Sequence, residues 1–308
     1  VVPSAGTPQV YVCNYAYASQ PGTTITPINV TDRLPEHRVT IASLPSAVAS
    51  TPDGRHLVVT AQGDNLLVVL DTATDAVSGR VTTGLEPDAV AVTPDGRTAV
   101  VANFGDATVT LVDLTTLRAL RTIAVGSQPD AVAVTPDGRT AVVANFGDAT
   151  VTPVDLVTMT AGPPIAVGSQ PDAVAITPDG RTAVVANFGD ATVTPVDLVT
   201  ARAQPPVPVG PGPAGIVISA TSPAGDAAAW VAVGASLVPV ALTTWAPGAP
   251  VAVGHIAEAL ALADGGRTAW VAGQDGAVLP VDLSTGRTGR AAHVLGRPSA
   301  IAVAPPSH

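Results

Sequence analysis

An acidic side chain recurs at a fixed place along this chain. Asp88, Asp130 and Asp172 stand 42 residues apart, and Glu258 takes the equivalent position further on. A second set, Asn103-Phe104, Asn145-Phe146 and Asn187-Phe188, keeps the same spacing and holds all three phenylalanines of the protein. Carboxylates gathered on one face can ligate a divalent cation or attract a cationic peptide, and rings beside them stack on cations and sugars. The plainer alternative is that duplication copied both sets along with everything else, with Phe packing between repeats.

Other chemistry is scarce. Cys13 is the single cysteine, so no intrachain disulfide forms, and its place in an apolar run predicts a buried, inert thiol. His37, His56, His255, His293 and His308 are scattered, without the spacing of a zinc protease or a c-type haem site. No serine sits in a G-x-S-x-G context, and no glycine loop has the pattern of a phosphate cradle. Asp71, Asp113, Asp155, Asp197 and Asp282 close V-D-L or L-D-T runs, and Asp95, Asp137 and Asp179 sit in P-D-G turns. Those contexts predict hydrogen bonds to turn N–H groups.

The elements that must position these groups follow from the repeat. V-A-V-T-P-D-G-R-T-A-V-V-A-N-F-G-D-A-T-V-T runs from Val90 to Thr110 and again from Val132 to Thr152. It returns, with Ile176 for Val, from Val174 to Thr194. Weaker copies begin at Pro45, Pro213, Ala257 and Pro298, at offsets of 42, 44 and 41 residues, so seven units are almost evenly spaced. A period in this range marks a propeller, solenoid or array. Within the Pro87 unit, apolar runs Ala89–Val92, Thr98–Ala102, Ala107–Asp113 and Leu120–Val125 are rich in Val, Thr and Ile and separated by turn signals. Four short antiparallel strands, seven times over, predict an all-β, seven-bladed β-propeller.

Tyr11-Val12-Cys13-Asn14 falls where Val100-Val101-Ala102-Asn103 falls in the strong copies, and the chain ends one strand into a unit. The partial units complete each other, so the C-terminal strand is expected to join the N-terminal blade. The expected blades of a single domain, 1–308, are 10–44 with 298–308, then 45–86, 87–128, 129–170, 171–212, 213–256 and 257–297. Alanines on each first strand, such as Ala89 and Ala91, suit the crowded centre of the ring. Pro27, Pro153, Pro195, Pro239 and Pro280 recur inside the third strand, where a missing N–H breaks a ladder bond. A bulge or a shortened outer strand is expected there. The loop into the first strand and the turn between the second and third open on one face. That face is predicted to carry the acidic and aromatic sets, with Ser46, Ala214 and Ser299 completing the acidic ring's seven places.

The tetrad Tyr11-Val12-Cys13-Asn14, with Trp230-Val231 and Trp270-Val271 and the P-x-A-V-A-x-T-P-D-G-R and V-D-L-x-T segments, resembles the YVTN family of β-propeller repeats over about residues 8–305. The resemblance implies the propeller and a surface-layer or envelope setting; the same architecture serves lactonases and quinone- or haem-dependent enzymes. It does not by itself choose an activity.

Composition narrows the choice. Hydrophobic residues are 46% and charged residues 12% of 308, which suits a large core. No run of about 18 apolar residues offers a membrane span. All 14 basic residues are Arg, and a formal charge of −10 argues against nucleic acid. The leading expectation is a non-enzymatic, exported binding or scaffolding propeller of the cell envelope. It would be monomeric, with a protein, peptide or glycan ligand on one face and no cofactor. The start at Val1 is read as a removed signal peptide or a trimmed chain. The rivals are a lactonase-like hydrolase, an enzyme holding a cofactor or a divalent cation in the axial channel through Asp88, Asp130 and Glu258, and the sensor domain of a larger receptor. The expected ligand-contacting set is Asp88, Asp130, Asp172, Glu258, Asn103, Phe104, Asn145, Phe146, Asn187 and Phe188.

Overall fold

A computed structural model describes residues 9–17, 20–220, 222 and 224–305. They form seven antiparallel sheets arranged as blades around an axis. Blade 3 shows the plan, with strands Pro87–Val92, Thr98–Asn103, Thr108–Asp113 and Arg118–Ala124 laid side by side from the axis outward. Short 3-10 turns at Gln62–Asp64 and Asp264–Gly266 are the only helical segments among the described residues. No helix there is long and apolar enough to cross a membrane.

The turns form as their residues dictate. In Thr93-Pro94-Asp95-Gly96, Gly96 takes φ +72 while Asp95 Oδ1 accepts from the Thr93 hydroxyl (2.6 Å) and the Arg97 N–H (3.1 Å). Those bonds hold the Asp95 carboxyl below its ordinary range, the Thr93 bond contributing most. Asp113 Oδ1 accepts the N–H groups of Thr115 and Thr116 at 2.7 and 3.1 Å, and Asp71, Asp155, Asp197 and Asp282 repeat the motif.

The core lies between blades. Along the second strand of blade 3, Ala99 and Val101 pack against Val58, Leu67 and Val69 of blade 2, while Val100 and Ala102 pack against Ala141 and Val143 of blade 4. A period-two strand buried on both faces is therefore apolar throughout, and Ala99–Asn103 is wholly buried. The first strands are only partly buried because they line the channel.

The third-strand prolines act as expected. The Pro153 carbonyl accepts from Gly162 N–H (2.7 Å) on the outer strand, so its nitrogen faces that strand with no hydrogen to give. The outer strand then breaks into Thr160–Ala161 and Ile165–Ala166. Pro195 and Pro280 split their outer strands likewise, and beside Pro27 and Pro239 only two paired residues and an isolated bridge remain. In blades 2 and 3 the position is Val69 or Leu111, and the outer strand runs unbroken for 7 residues, with a bulge beside it. Breaks and prolines on exposed edges also discourage edge-to-edge pairing.

Closure matches the sequence reading. Strand Arg297–Ala304 is the innermost strand of blade 1 and pairs Ile301 with Val12 and Val303 with Val10. Asn14 repeats the role of Asn103, its Nδ2 donating to Thr24 and Thr26 as Asn103 Nδ2 donates to Thr108 and Thr110. Cys13 is fully buried, and burial pushes its thiol far above the ordinary range.

Candidate functional site at the channel mouth

Each first strand carries a register shift at its second or third residue. In blade 3 it lies between Pro87 and Ala89, so Asp88 has no partner across the ladder; Asp130, Asp172 and Glu258 sit at the same irregularity. Ser46, Ala214 and Ser299 occupy it in the remaining blades. A bulge re-aims the extra side chain, and here all seven line one cavity of about 520 Å³ at the mouth of the axis. Tyr15, Gln62 and Arg297 complete its wall.

The electrostatics of the mouth are lopsided. Asp88, Asp130 and Asp172 come from adjacent blades, line one cavity and lie close enough to raise one another's affinity for a proton. Burial is the main cause of their shifts: Asp88 is pushed up to about 8, Asp130 to about 7 and Asp172 to about 6. Like charges cannot all ionise together in a poorly solvated site, so the set loses its protons in steps near neutrality. Across the mouth, Glu258 is held by Arg297 Nη2 at 2.7 Å, and Tyr15 donates to Gln62 Oε1 at 2.8 Å. One wall is thus rich in buried carboxyls; the other offers a phenol, an amide and a paired guanidinium.

The turns between second and third strands open on this face, as Phe104 N–H bonding to the Glu86 carbonyl (2.9 Å) demonstrates. The structure separates the members of each Asn-Phe pair. Asn103, Asn145 and Asn187 are fully buried; Asn103 Nδ2 donates to Thr108 and Thr110 (both 2.9 Å), and its Oδ1 accepts from Gly84 (3.1 Å). These amides pin the loop to the blade. The phenylalanines lie outside the interblade cores, with Phe104 and Phe146 half-buried and Phe188 46% exposed over Gly212. Asn103→Ala should therefore cost about 2–3 kcal/mol, because buried groups lose their partners. Phe188→Ala should cost under about 1 kcal/mol. Thermal melts of the two variants compare them directly; a larger loss for Phe188 would mean that its ring is core.

One grouping had almost no signal in the sequence. His255 Nδ1 pairs with Asp275 Oδ2 at 2.5 Å, and the His293 ring stands edge-on, 6.5 Å away between centroids. In blades 2–5 the corresponding aspartates Asp64, Asp106, Asp148 and Asp190 instead accept a loop N–H, from Ser43, Leu85, Ser127 and Ser169 respectively. Only the departure of His255 from those loop residues marked the place in sequence. Among the described residues no three His, Cys, Asp or Glu side chains stand so as to hold a metal ion. The residues at the mouth therefore do not fit the cation that Asp88, Asp130 and Glu258 suggested.

The structure is a seven-bladed propeller with a carboxyl-lined mouth. The family described as "Lactonase, 7-bladed beta-propeller" matches residues 7–124. No curated protein matches the sequence. Among solved structures, the chain is similar to a provisionally assigned 6-phosphogluconolactonase from Bacteroides uniformis ATCC 8492. That match has a TM-score of 0.77 and 16% identity, covering 96% of this chain and 99% of that one. A functionally unknown protein from Desulfotomaculum acetoxidans DSM 771 gives TM-score 0.83 and 16% identity over 97% and 99%. Kuenenia stuttgartiensis hydrazine synthase gives TM-score 0.68 and 22% identity over 78% and 76%. At such identities the likeness is one of fold.

Proposed function

We propose that the protein is a lactonase-like hydrolase that opens neutral lactones at the channel mouth. The observation that carries this reading is the set of carboxyls from adjacent blades buried in one cavity, where burial pushes Asp88, Asp130 and Asp172 up to about 8, 7 and 6. Near neutral pH such a set holds both a carboxylate and a carboxylic acid. The ionised member takes a proton from water as its oxygen attacks the lactone carbonyl. The protonated member gives a proton to the ring oxygen as the C–O bond breaks, leaving a hydroxy acid. The partial family match supports the same activity. Uncompensated carboxylates repel anionic substrates, so the reading favours neutral lactones over phosphorylated ones.

The test is a pH-stat assay on γ-butyrolactone and δ-gluconolactone. Hydrolysis above the spontaneous rate should fall about 100-fold or more in Asp130→Asn. No turnover on either lactone, or turnover indifferent to Asn at positions 88, 130 and 172, rejects it. A non-enzymatic binding propeller is the second reading, favoured by the exposed apolar side chains around the mouth. The surface-layer kinship of Tyr11-Val12-Cys13-Asn14 and an exported, envelope setting belong with that second reading.

A further inference from the structure

The formal charge of −10 is not spread over the molecule. The starts of the first strands, the loops leading into them and the turns between second and third strands carry ten of the 24 acidic residues but, of the 14 arginines, only Arg297. Nearly all the net charge therefore belongs to the mouth face. The other arginines lie elsewhere, five of them (Arg55, Arg97, Arg139, Arg181 and Arg267) in hairpins on the opposite face, beside aspartates. The one arginine of the mouth is already engaged by Glu258.

Around this acidic centre the same loops expose large apolar side chains. Leu85 is 55%, Ile256 54% and Leu295 56% exposed, and Phe188 joins them. They stand in four different loops and so encircle the mouth. Elsewhere Leu34, Leu120, Val157 and Val199 are exposed singly, one per blade, at outer positions. An acidic centre within an apolar ring complements a basic side chain flanked by apolar ones.

We propose that the mouth face docks a protein partner that presents a lysine or arginine between apolar residues. The basic side chain enters the cavity between Asp88, Asp130 and Asp172, and the apolar flanks rest on Leu85, Phe188, Ile256 and Leu295. The field of the face steers the encounter, and the apolar ring selects among basic partners. This docking does not depend on hydrolysis, and it is measured without a lactone present.

The test uses fluorescence anisotropy with three labelled 12-residue peptides, alternating Lys–Leu, Lys–Ser and Glu–Leu. The Lys–Leu peptide should bind one-to-one, about tenfold or more tighter than Lys–Ser, and Glu–Leu should not bind. Binding should weaken at least about tenfold in the triple variant Asp88→Asn/Asp130→Asn/Asp172→Asn, and likewise in Leu85→Ser/Ile256→Ser/Leu295→Ser. Val157→Ser/Val199→Ser, away from the mouth, should bind as wild type. Equal affinity for Lys–Leu and Lys–Ser overturns the proposal, as does Lys–Leu binding that survives either mouth variant or is lost in Val157→Ser/Val199→Ser. Failure to bind Lys–Leu at all overturns it too.

Discussion

Removal of the last ten residues, 299–308, unfolds the ring or lowers its melting temperature drastically. The lost segment is most of strand Arg297–Ala304, whose Ile301 lies in the core between blades 7 and 1, while Ala302 and Ala304 lie in the core between blades 1 and 2. Two interblade cores are opened together. The hydrogen bonds from the Ser50 hydroxyl to the Val303 carbonyl (3.0 Å) and from the Ser299 hydroxyl to the Pro45 carbonyl (2.9 Å) go as well. The loss exceeds about 5 kcal/mol, the lower end of a domain's whole stability. Ile301→Ala alone should cost about 2–5 kcal/mol. A truncated protein that melts at the wild-type temperature would show that the ring does not need this strand.

The second large effect is a gain. The native state holds protons on Asp88, Asp130 and Asp172 at pH values where an unfolded aspartate, at about 3.9, has lost them. Stability from this trio is therefore fully present near pH 4 and declines as pH rises through about 6 to 8. Asp130→Asn removes the middle charge and leaves an amide able to donate to both neighbours. The variant should be about 3 kcal/mol more stable than wild type at pH 8.5, roughly 5–10 °C in melting temperature, with little difference at pH 4. Differential scanning calorimetry at the two pH values checks it. A variant less stable than wild type at pH 8.5, or a difference independent of pH, would mean that the carboxyls are better solvated than their burial implies. The same substitution should slow hydrolysis about 100-fold or more, so stability and activity would move in opposite directions.

Much of the architecture could be read from residue order, because each signal was local and repeated. The T-P-D-G turns, the alternation of Val and Ala, and the prolines that interrupt outer strands all act within one hairpin. The seven mouth positions were also legible, since a 42-residue period carries one equivalent site per blade. The protonation state of the aspartates was not, because it depends on burial created only when neighbouring blades close around Asp130. The Asn-Phe pairs looked like one motif, yet strand alternation turns Asn103 into the blade and leaves Phe104 on the surface. Glu258 with Arg297, 39 residues apart, and His255 with Asp275, 20 apart, join loops in the least repetitive arc, where no neighbouring copy supplied a register.

Blades 3, 4 and 5 are so alike that the interfaces between them use the same residues twice. Val100 and Ala102 meet Ala141 and Val143 as Val142 and Ala144 meet Ala183 and Val185. Such surfaces carry no address: blade 3 would fit blade 5 as well as it fits blade 4. What enforces order is the connector. Only four residues separate Ala124 from Pro129, and four separate Ala166 from Pro171. Skipping a blade would require a whole 42-residue unit to be looped out of a tether that short. In this part of the ring, interface chemistry supplies adhesion while chain length supplies the sequence of assembly. Lengthening a connector would loosen the order of the blades without altering a single contact between them.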